Sequence, residues 1–277
     1  MRKVTVLFIV LALFSVDSMA ISTRKDPDKK SRISRKYKTK EAKYQAAKAY
    51  YAKGAYLSAA QLFEEVYPLY ISSKEGDTIL FLFADSYMKN ADYLMGAFHF
   101  KDYTRRYPQS QRAEEANFLM AKCYYLNSPV YNLDQSDSHL AIENLEFFIN
   151  AYPKSVFVDQ ANDMIDALQT KLAKKDFYIA VMYYNTGNYK AAHISFTNLL
   201  KDYPGTSYTE EALYYMTKNS YEYAQKSVES KKVERYQLAI DNFVRLKALK
   251  ADSKFLPEVE KLMLEATKKR DKILENK

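Results

Sequence analysis

KKDFYIAVMYYNTGNYKAAHISFTNLLKDYPGTSYTEEAL, residues 174–213, is the stretch whose reading decides the fold. Ala180 is followed one helical turn later by Tyr183, and twelve positions after Ala180 stands Ala192, followed by Phe196 and Leu199. Offsets of 0, 4 and 7 residues share one face of an α-helix. Tyr203-Pro204 then closes the run, because a proline inside a helix costs about 3 kcal/mol and so marks an end. The stretch therefore reads as two helices packed through small residues, ended by punctuation.

Outward from this stretch the same pattern recurs. Ala59, Gly96, Ala141 and Ala239 correspond to Ala192; Phe63, Phe100, Leu145 and Phe243 follow at four residues, and Val66, Tyr103, Phe148 and Leu246 at seven. Ala47 and Ala84, with Tyr50 and Tyr87, repeat the first-helix pair; in the third copy Ala121 and Tyr124 are displaced by an insertion of eight residues. A fifth copy is degenerate, with Thr217 and Ser220 in the first-helix slots. YPQSQRAEEA (107–116), YPKSVFVDQA (152–161) and YPGTSYTEEA (203–212) share one spacing, which predicts that Ser110, Ser155 and Thr206 cap the helices that follow. Between the third and fourth copies, 156–187 is predicted to hold an additional helix. Ser253 to Asn276 reads as one more amphipathic helix, placed to cap a solenoid whose last apolar face lacks a neighbour. The expected architecture is all-α: a right-handed superhelix of about five tetratricopeptide-like helix hairpins with a C-terminal capping helix.

Composition agrees with a folded helical chain: 48% hydrophobic and 27% charged residues, five glycines, seven prolines and 26 tyrosines in 277 residues. The net charge of +8 is not spread over the body. Residues 21–40 carry nine Lys/Arg against Asp26 and Asp28, and residues 1–20 add one positive charge, which leaves 41–277 neutral. A domain that contacts phosphates needs a basic stripe, so nucleic-acid binding is not expected. Arg2-Lys3, the apolar run Val4–Phe14 and Ser18-Met19-Ala20 have the form of a signal peptide over 1–20, followed by a basic arm over 21–40. The repeats then divide into 41–155 (copies one to three) and 156–277 (copies four and five with the cap). The single cysteine, Cys123, falls in an apolar helical run and reads as core.

Catalytic constellations are missing. His99, His139 and His193 are scattered without metal-ligand spacing, and there is no glycine-rich phosphate loop and no nucleophile or zinc-protease motif. No cofactor and no metal is expected. The pairs Glu114/Glu115 and Glu210/Glu211 sit where a helix dipole favours negative charge in a first turn. Function is therefore sought in a binding surface. First-helix positions three before and four after the small residue give Tyr44, Tyr51, Phe81, Met88, Phe118 and Tyr125 as substrate-groove candidates, with Phe177 and Tyr184 as partner-face candidates. Two readings stand for each: an exposed aromatic strip that accepts apolar side chains, or part of the core between repeats. The insertion LNSPVYNLDQSDSH (126–139), with Tyr131, Leu133, Asp134 and Gln135, is either an interaction loop or disordered.

The signal segment, five repeats, the YP-x-[ST] punctuation, the SPVYNLDQ insertion and residues 174–213 together resemble the BamD family, the repeat-protein subunits of the outer-membrane β-barrel assembly machinery. The resemblance covers roughly residues 40–250. It implies a non-enzymatic scaffold in the periplasm at the inner face of the outer membrane. The C-terminal half, 156–277, would bind a BamA-type barrel protein, and the N-terminal groove would receive unfolded outer-membrane proteins. One feature departs from the family. Its members carry a lipid on a cysteine that closes the signal segment, whereas Val16-Asp17-Ser18-Met19 stands there in this chain. The basic arm from Arg24 to Lys40 is either a partial substitute, at about 1 kcal/mol per residue near an anionic surface, or a solvated flexible arm. The alternative function is another periplasmic repeat adaptor, one coordinating cell-wall synthesis or division.

Overall fold

The computed structural model describes residues 35–276; the signal-peptide reading and most of the basic arm lie outside them. Among the described residues every regular element is a helix. Five hairpins follow one another: α1 (Lys40–Ala52) with α2 (Tyr56–Val66), α3 (Gly76–Lys89) with α4 (Tyr93–Arg106), α5 (Ala113–Asn127) with α6 (Ser136–Ala151), α7 (Val158–Asn185) with α8 (Tyr189–Asp202), and α9 (Thr209–Gln225) with α10 (Glu229–Leu249). A last helix, α11 (Leu256–Glu275), lies against α10 and α9.

The repeat positions build the core. Ala47, Ala84, Ala121 and Ala180 on first helices and Ala59, Ala141, Ala192 and Ala239 on second helices are fully buried. So are Phe63, Phe100, Leu145 and Phe196 one turn on, and Val66, Tyr103, Leu199 and Leu246 after them. Small residues let two helix axes approach at the short end of the usual 8–10 Å, and the large residues fill the volume on either side. Gly96 takes the alanine slot in the second hairpin because the approach is closer there. A Cβ at Gly96 would stand 3.1 Å from Cys123 Sγ and 3.2 Å from the Met88 backbone nitrogen.

The Tyr-Pro punctuation works through the backbone. Proline disfavours the helical region for the residue before it. Tyr107, Tyr152 and Tyr203 accordingly leave the helix at ψ 55°, 61° and 59° while their N–H groups still close the last turn. The predicted caps are corrected. No side chain caps α5, α7 or α9. Ser110 and Ser155 Oγ instead accept from the backbone N–H groups of Arg112 and Phe157, each 3.2 Å away, inside the preceding turn. Thr206 Oγ1 donates back to Tyr203 O. A serine two residues before the N-cap position is too early for the helix but in range of the turn.

The additional helix expected over 156–187 is corrected as well. It is not separate: α7 is continuous over 28 residues, about 42 Å. Its first half packs Met164, Ile165 and Leu168 against the third hairpin, and its second half packs Phe177 and Ala180 against α8 and α9. Leu172 and Ala173, both buried, carry the apolar stripe between the two.

The turns inside the hairpins have a fixed need. Gly54 and Gly187 hold φ 75° and 74° in the first and fourth hairpins, and Ala91 holds φ 60° at the same place in the second. The left-handed conformation costs an L-residue about 1–2 kcal/mol. Ala91→Gly is therefore expected to stabilise the protein by up to about 1 kcal/mol after the extra unfolded-state freedom of glycine is subtracted. Thermal melting would register this as a rise of about 2–4 °C; an unchanged or lower midpoint would contradict it.

Candidate functional site

The first-helix positions selected by spacing divide into two classes. From the second hairpin on, those three before the small residue are covered. Phe81, Phe118 and Phe177 are 3%, 2% and 4% exposed, which corrects the reading of Phe81 and Phe118 as open groove positions and of Phe177 as part of a partner face. Each is lidded by the N-cap residue of the next first helix. The Arg112 guanidinium lies 3.7 Å over Phe81; Phe157 stacks on Phe118 at 4.6 Å and 6°; Tyr208 lies 5.3 Å from Phe177. The degenerate fifth copy follows suit, with Phe255 stacked on Tyr214 at 4.5 Å. At the Phe81, Phe118 and Tyr214 lids, though not at Phe177, serine turns explain the regularity. They fix the backbone of the lid residue, so that its side chain falls on the aromatic ring of the previous repeat.

The positions four after the small residue are half-buried and reach the surface: Tyr51, Met88, Tyr125 and Tyr184, with Tyr44 beside Tyr70 in the first hairpin. They are not loose. Tyr51 donates its hydroxyl to the Asp85 carboxylate, and Lys89 Nζ donates to the Tyr51 hydroxyl at 2.5 Å while pairing with Asp85 at 2.9 Å. Tyr221, at the matching place in the fifth hairpin, donates to Glu265 Oε2 at 2.6 Å and receives Lys269 Nζ at 3.0 Å. Both clasps join one first helix to the next element of the stack through a carboxylate and a lysine spaced four residues apart. Burial and the adjoining carboxylates raise the Tyr51 and Tyr221 phenols above the ordinary range, so both stay protonated donors. Tyr184 meets Tyr215 edge-on at 5.7 Å. Tyr125 opens onto a cleft of about 240 Å³ shared with Leu126, Leu168 and Lys171.

The insertion is an ordered loop, 128–135, laid along α7. Lys171 Nζ donates to Ser128 Oγ and to Pro129 O, Lys175 Nζ donates to Leu133 O, and Lys174 sits 4.4 Å over the Tyr131 ring. Gln135 proves to be a strut: its amide donates to Val130 O and Leu133 O, and its Oε1 accepts from Ser138. It is 5% exposed, so it does not present itself to a partner. Asp134 Oδ1 accepts from the Ser136 backbone N–H at the entry to α6. Held this way, the loop leaves Val130 and Leu133 64% and 54% exposed, beside Tyr131 and Tyr178.

Cys123 is buried, and burial pushes its thiol up to about 12, where it carries no reactive thiolate. Among the described residues no three metal-ligating side chains converge. His99 lies between Phe83, at 4.1 Å, and Tyr87, stacked at 13°. Burial depresses its pKa against the weaker pull of Asp102, Glu64 and Asp92. The folded state thus prefers neutral His99, whereas the unfolded chain takes up the proton below about pH 6.5. The stability it allows is complete above that pH and is lost as pH falls towards the folded-state value. Thermal midpoints should drop as the pH falls below about 6.5, and less in His99→Phe. Equal pH slopes in the two proteins would refute this assignment.

A family model described as "YfiO: Outer membrane lipoprotein" matches residues 36–238. "Outer membrane protein assembly factor BamD" of Caulobacter vibrioides is 31% identical over 108 residues, 39% of this chain and 35% of that protein. A "Putative outer membrane protein assembly factor BamD" of Aquifex aeolicus is 26% identical over 220 residues, 79% of this chain and 70% of that protein. BamD of Rickettsia prowazekii is 30% identical over 99 residues, 36% of this chain and 39% of its own length. The matches thus span little more than a third of the Caulobacter and Rickettsia relatives. Among solved structures the chain is similar to the tetratricopeptide domain of P58(IPK), with a TM-score of 0.38 and 12% identity over 90% of this chain and 66% of that one.

Proposed function

Because this chain belongs to the YfiO family of outer membrane lipoproteins, the family of the BamD assembly factors, we propose that it is a non-enzymatic scaffold of the outer-membrane β-barrel assembly machinery. The observation that carries this reading is the family match over 36–238, which runs from the first hairpin into α10. The protein works in the periplasm at the inner face of the outer membrane. Its C-terminal half, 156–277, holds a BamA-type barrel protein, with Tyr184 on the contact face. Its N-terminal hairpins receive unfolded outer-membrane proteins along Tyr44, Tyr51, Met88 and Tyr125, whose half-buried rings offer apolar area with few rotors to freeze. Phe81 and Phe118 are packed in the cores of the N-terminal hairpins, and Phe177 in the core of the fourth beside Tyr184. The loop 128–135 is an interaction loop, with Val130, Leu133 and Tyr131 as its contact residues.

Fractionation of envelopes with and without high salt, followed by identification of co-purifying proteins, tests location, attachment and partner together. The expected result is outer-membrane recovery with a large barrel protein that has periplasmic repeats. Its consistent absence, with cell-wall synthesis or division proteins recovered instead, would replace this reading by that of a different periplasmic adaptor. Release by salt alone would assign attachment to the basic residues of the arm, since screening weakens such contacts.

A further inference from the structure

At the turn end of the C-terminal hairpins two clefts flank the last turn of α9. The first, about 530 Å³, is walled by Lys232, Lys269 and Lys272 with one acid, Glu229, and takes apolar surface from Tyr236 and Ile273. The second, about 500 Å³, lies between the α7–α8 turn and α9 and is walled by Lys190 and Lys226 with Tyr189 and Tyr223. Arg235 stands beside the second. Its guanidinium covers the Tyr223 ring at 3.6 Å, and it donates to the Ser227 hydroxyl.

The charge balance of this edge is unlike that of the body. Five lysines and one glutamate line the two clefts, on a segment, 41–277, whose net charge is zero. Glu229 is engaged by Lys232 at 2.6 Å, and Lys269 is shared between Tyr221 and Glu265. Lys190, Lys226 and Lys272 make no ion pair among the described residues. Unpaired cations in a concavity with low-dielectric walls focus a positive potential and draw anions to it.

We propose that this edge is a docking site for an extended acidic segment of a partner protein. The clefts lie on either side of one helix end, about 10 Å across, a span that three or four extended residues cross. A segment of roughly six to eight residues fills both. Its carboxylates meet the unpaired lysines, and its apolar side chains lie against Tyr236 and Ile273 or against Tyr189 and Tyr223. A single small anion occupies one cleft and leaves the lysines of the other unmatched, and a flat lipid surface enters neither. Lys269, Lys272 and Ile273 fall beyond the 36–238 family match, so this site goes beyond what the family relationship covers.

Fluorescence anisotropy on the full chain tests it, with a labelled ten-residue peptide of alternating glutamate and leucine as probe. The expected result is saturable binding that weakens from about 0.05 to about 0.3 M salt. The double variant Lys232→Glu/Lys272→Glu should bind roughly tenfold more weakly. Lys74→Glu/Lys154→Glu reverses two exposed lysines elsewhere, changes the net charge identically, and should stay within about twofold of the parent. Circular dichroism checks that the variants fold; if the first pair disturbs the cap, Lys190→Glu/Lys226→Glu carries the same test on the second cleft. The proposal is overturned by absent binding, by equal weakening in the distant pair, by displacement of the peptide with inorganic phosphate at equal charge, or by capture of phosphatidylglycerol vesicles that the peptide does not compete. Envelope fractionation is independent of these readings: a recovered barrel partner with no peptide binding would sink this site and leave the scaffold function standing.

Discussion

Replacing Phe81 with alanine is expected to destabilise the N-terminal hairpins by about 3–5 kcal/mol and to leave whatever binds the neighbouring tyrosines unaffected in the fraction that remains folded. The ring is 3% exposed. Its edges meet Phe100 and Tyr103, each at 5.5 Å, and the Arg112 guanidinium covers it at 3.7 Å. Deletion removes a large transfer free energy, opens a cavity between α3, α4 and the entry to α5, and strips Arg112 of the cation–π contact. Collapse to fill the gap is hindered, because Tyr103 is pinned by hydrogen bonds of 2.7 Å to Asp77 and Ser110. Urea unfolding with probes in the first three hairpins measures the loss. A Phe81→Ala protein of parental stability, with a weakened ligand, would mean that the ring faces a groove after all.

Phe81 also shows which part of the molecule the sequence reveals and which it hides. Ala84 to Gly96 to Phe100 is a local pattern, set within one hairpin, and helical periodicity exposes it because each offset lands on one face. The lid on Phe81 is contributed by Arg112, 31 positions away, and its placement depends on how one hairpin stacks on the next. Residue type gives no warning either, since Arg112, Phe157, Tyr208 and Phe255 share a place but not a chemistry. Their common signal is the serine or threonine two positions earlier, legible as punctuation but open to misreading as a helix cap. The Tyr51–Asp85–Lys89 clasp is hidden for the same reason: Asp85 and Lys89 look like an exposed pair on one helix until Tyr51 is set over them from another. The continuous α7 was hidden differently. The 3.6-residue pattern of 158–185 fits two shorter helices as well as one long one, and no glycine or proline within it decides the matter.

Deleting residues 253–277, and with them α11, is expected to unfold α9 and α10 while α1 to α6 stay intact. Val259 and Ala266 are fully buried, Leu256 and Met263 nearly so, against Leu213, Tyr214, Leu246, Tyr221 and Tyr236. Three large side chains at about 1.5–3 kcal/mol each place the lost contact on the order of 5–9 kcal/mol, a sum comparable with the whole stability of an ordinary domain. The deletion also removes Glu258 and Glu265, which accept from Tyr214 and Tyr221 at 2.6 Å, leaving both phenols without an acceptor and Lys218 without its 2.7 Å ion pair. In a stack of hairpins each unit contacts only its neighbours, so the deficit falls on the fifth hairpin and decays along the chain. The long α7 should limit its spread, because one continuous helix ties the core of the third hairpin to that of the fourth. Amide hydrogen exchange resolves the outcome by segment: protection should vanish over 209–249, weaken over 189–202 and persist over 40–151. Full protection of α9 and α10 in the truncated protein would show that the fifth hairpin holds itself together, and α11 would then be an appendage to the stack.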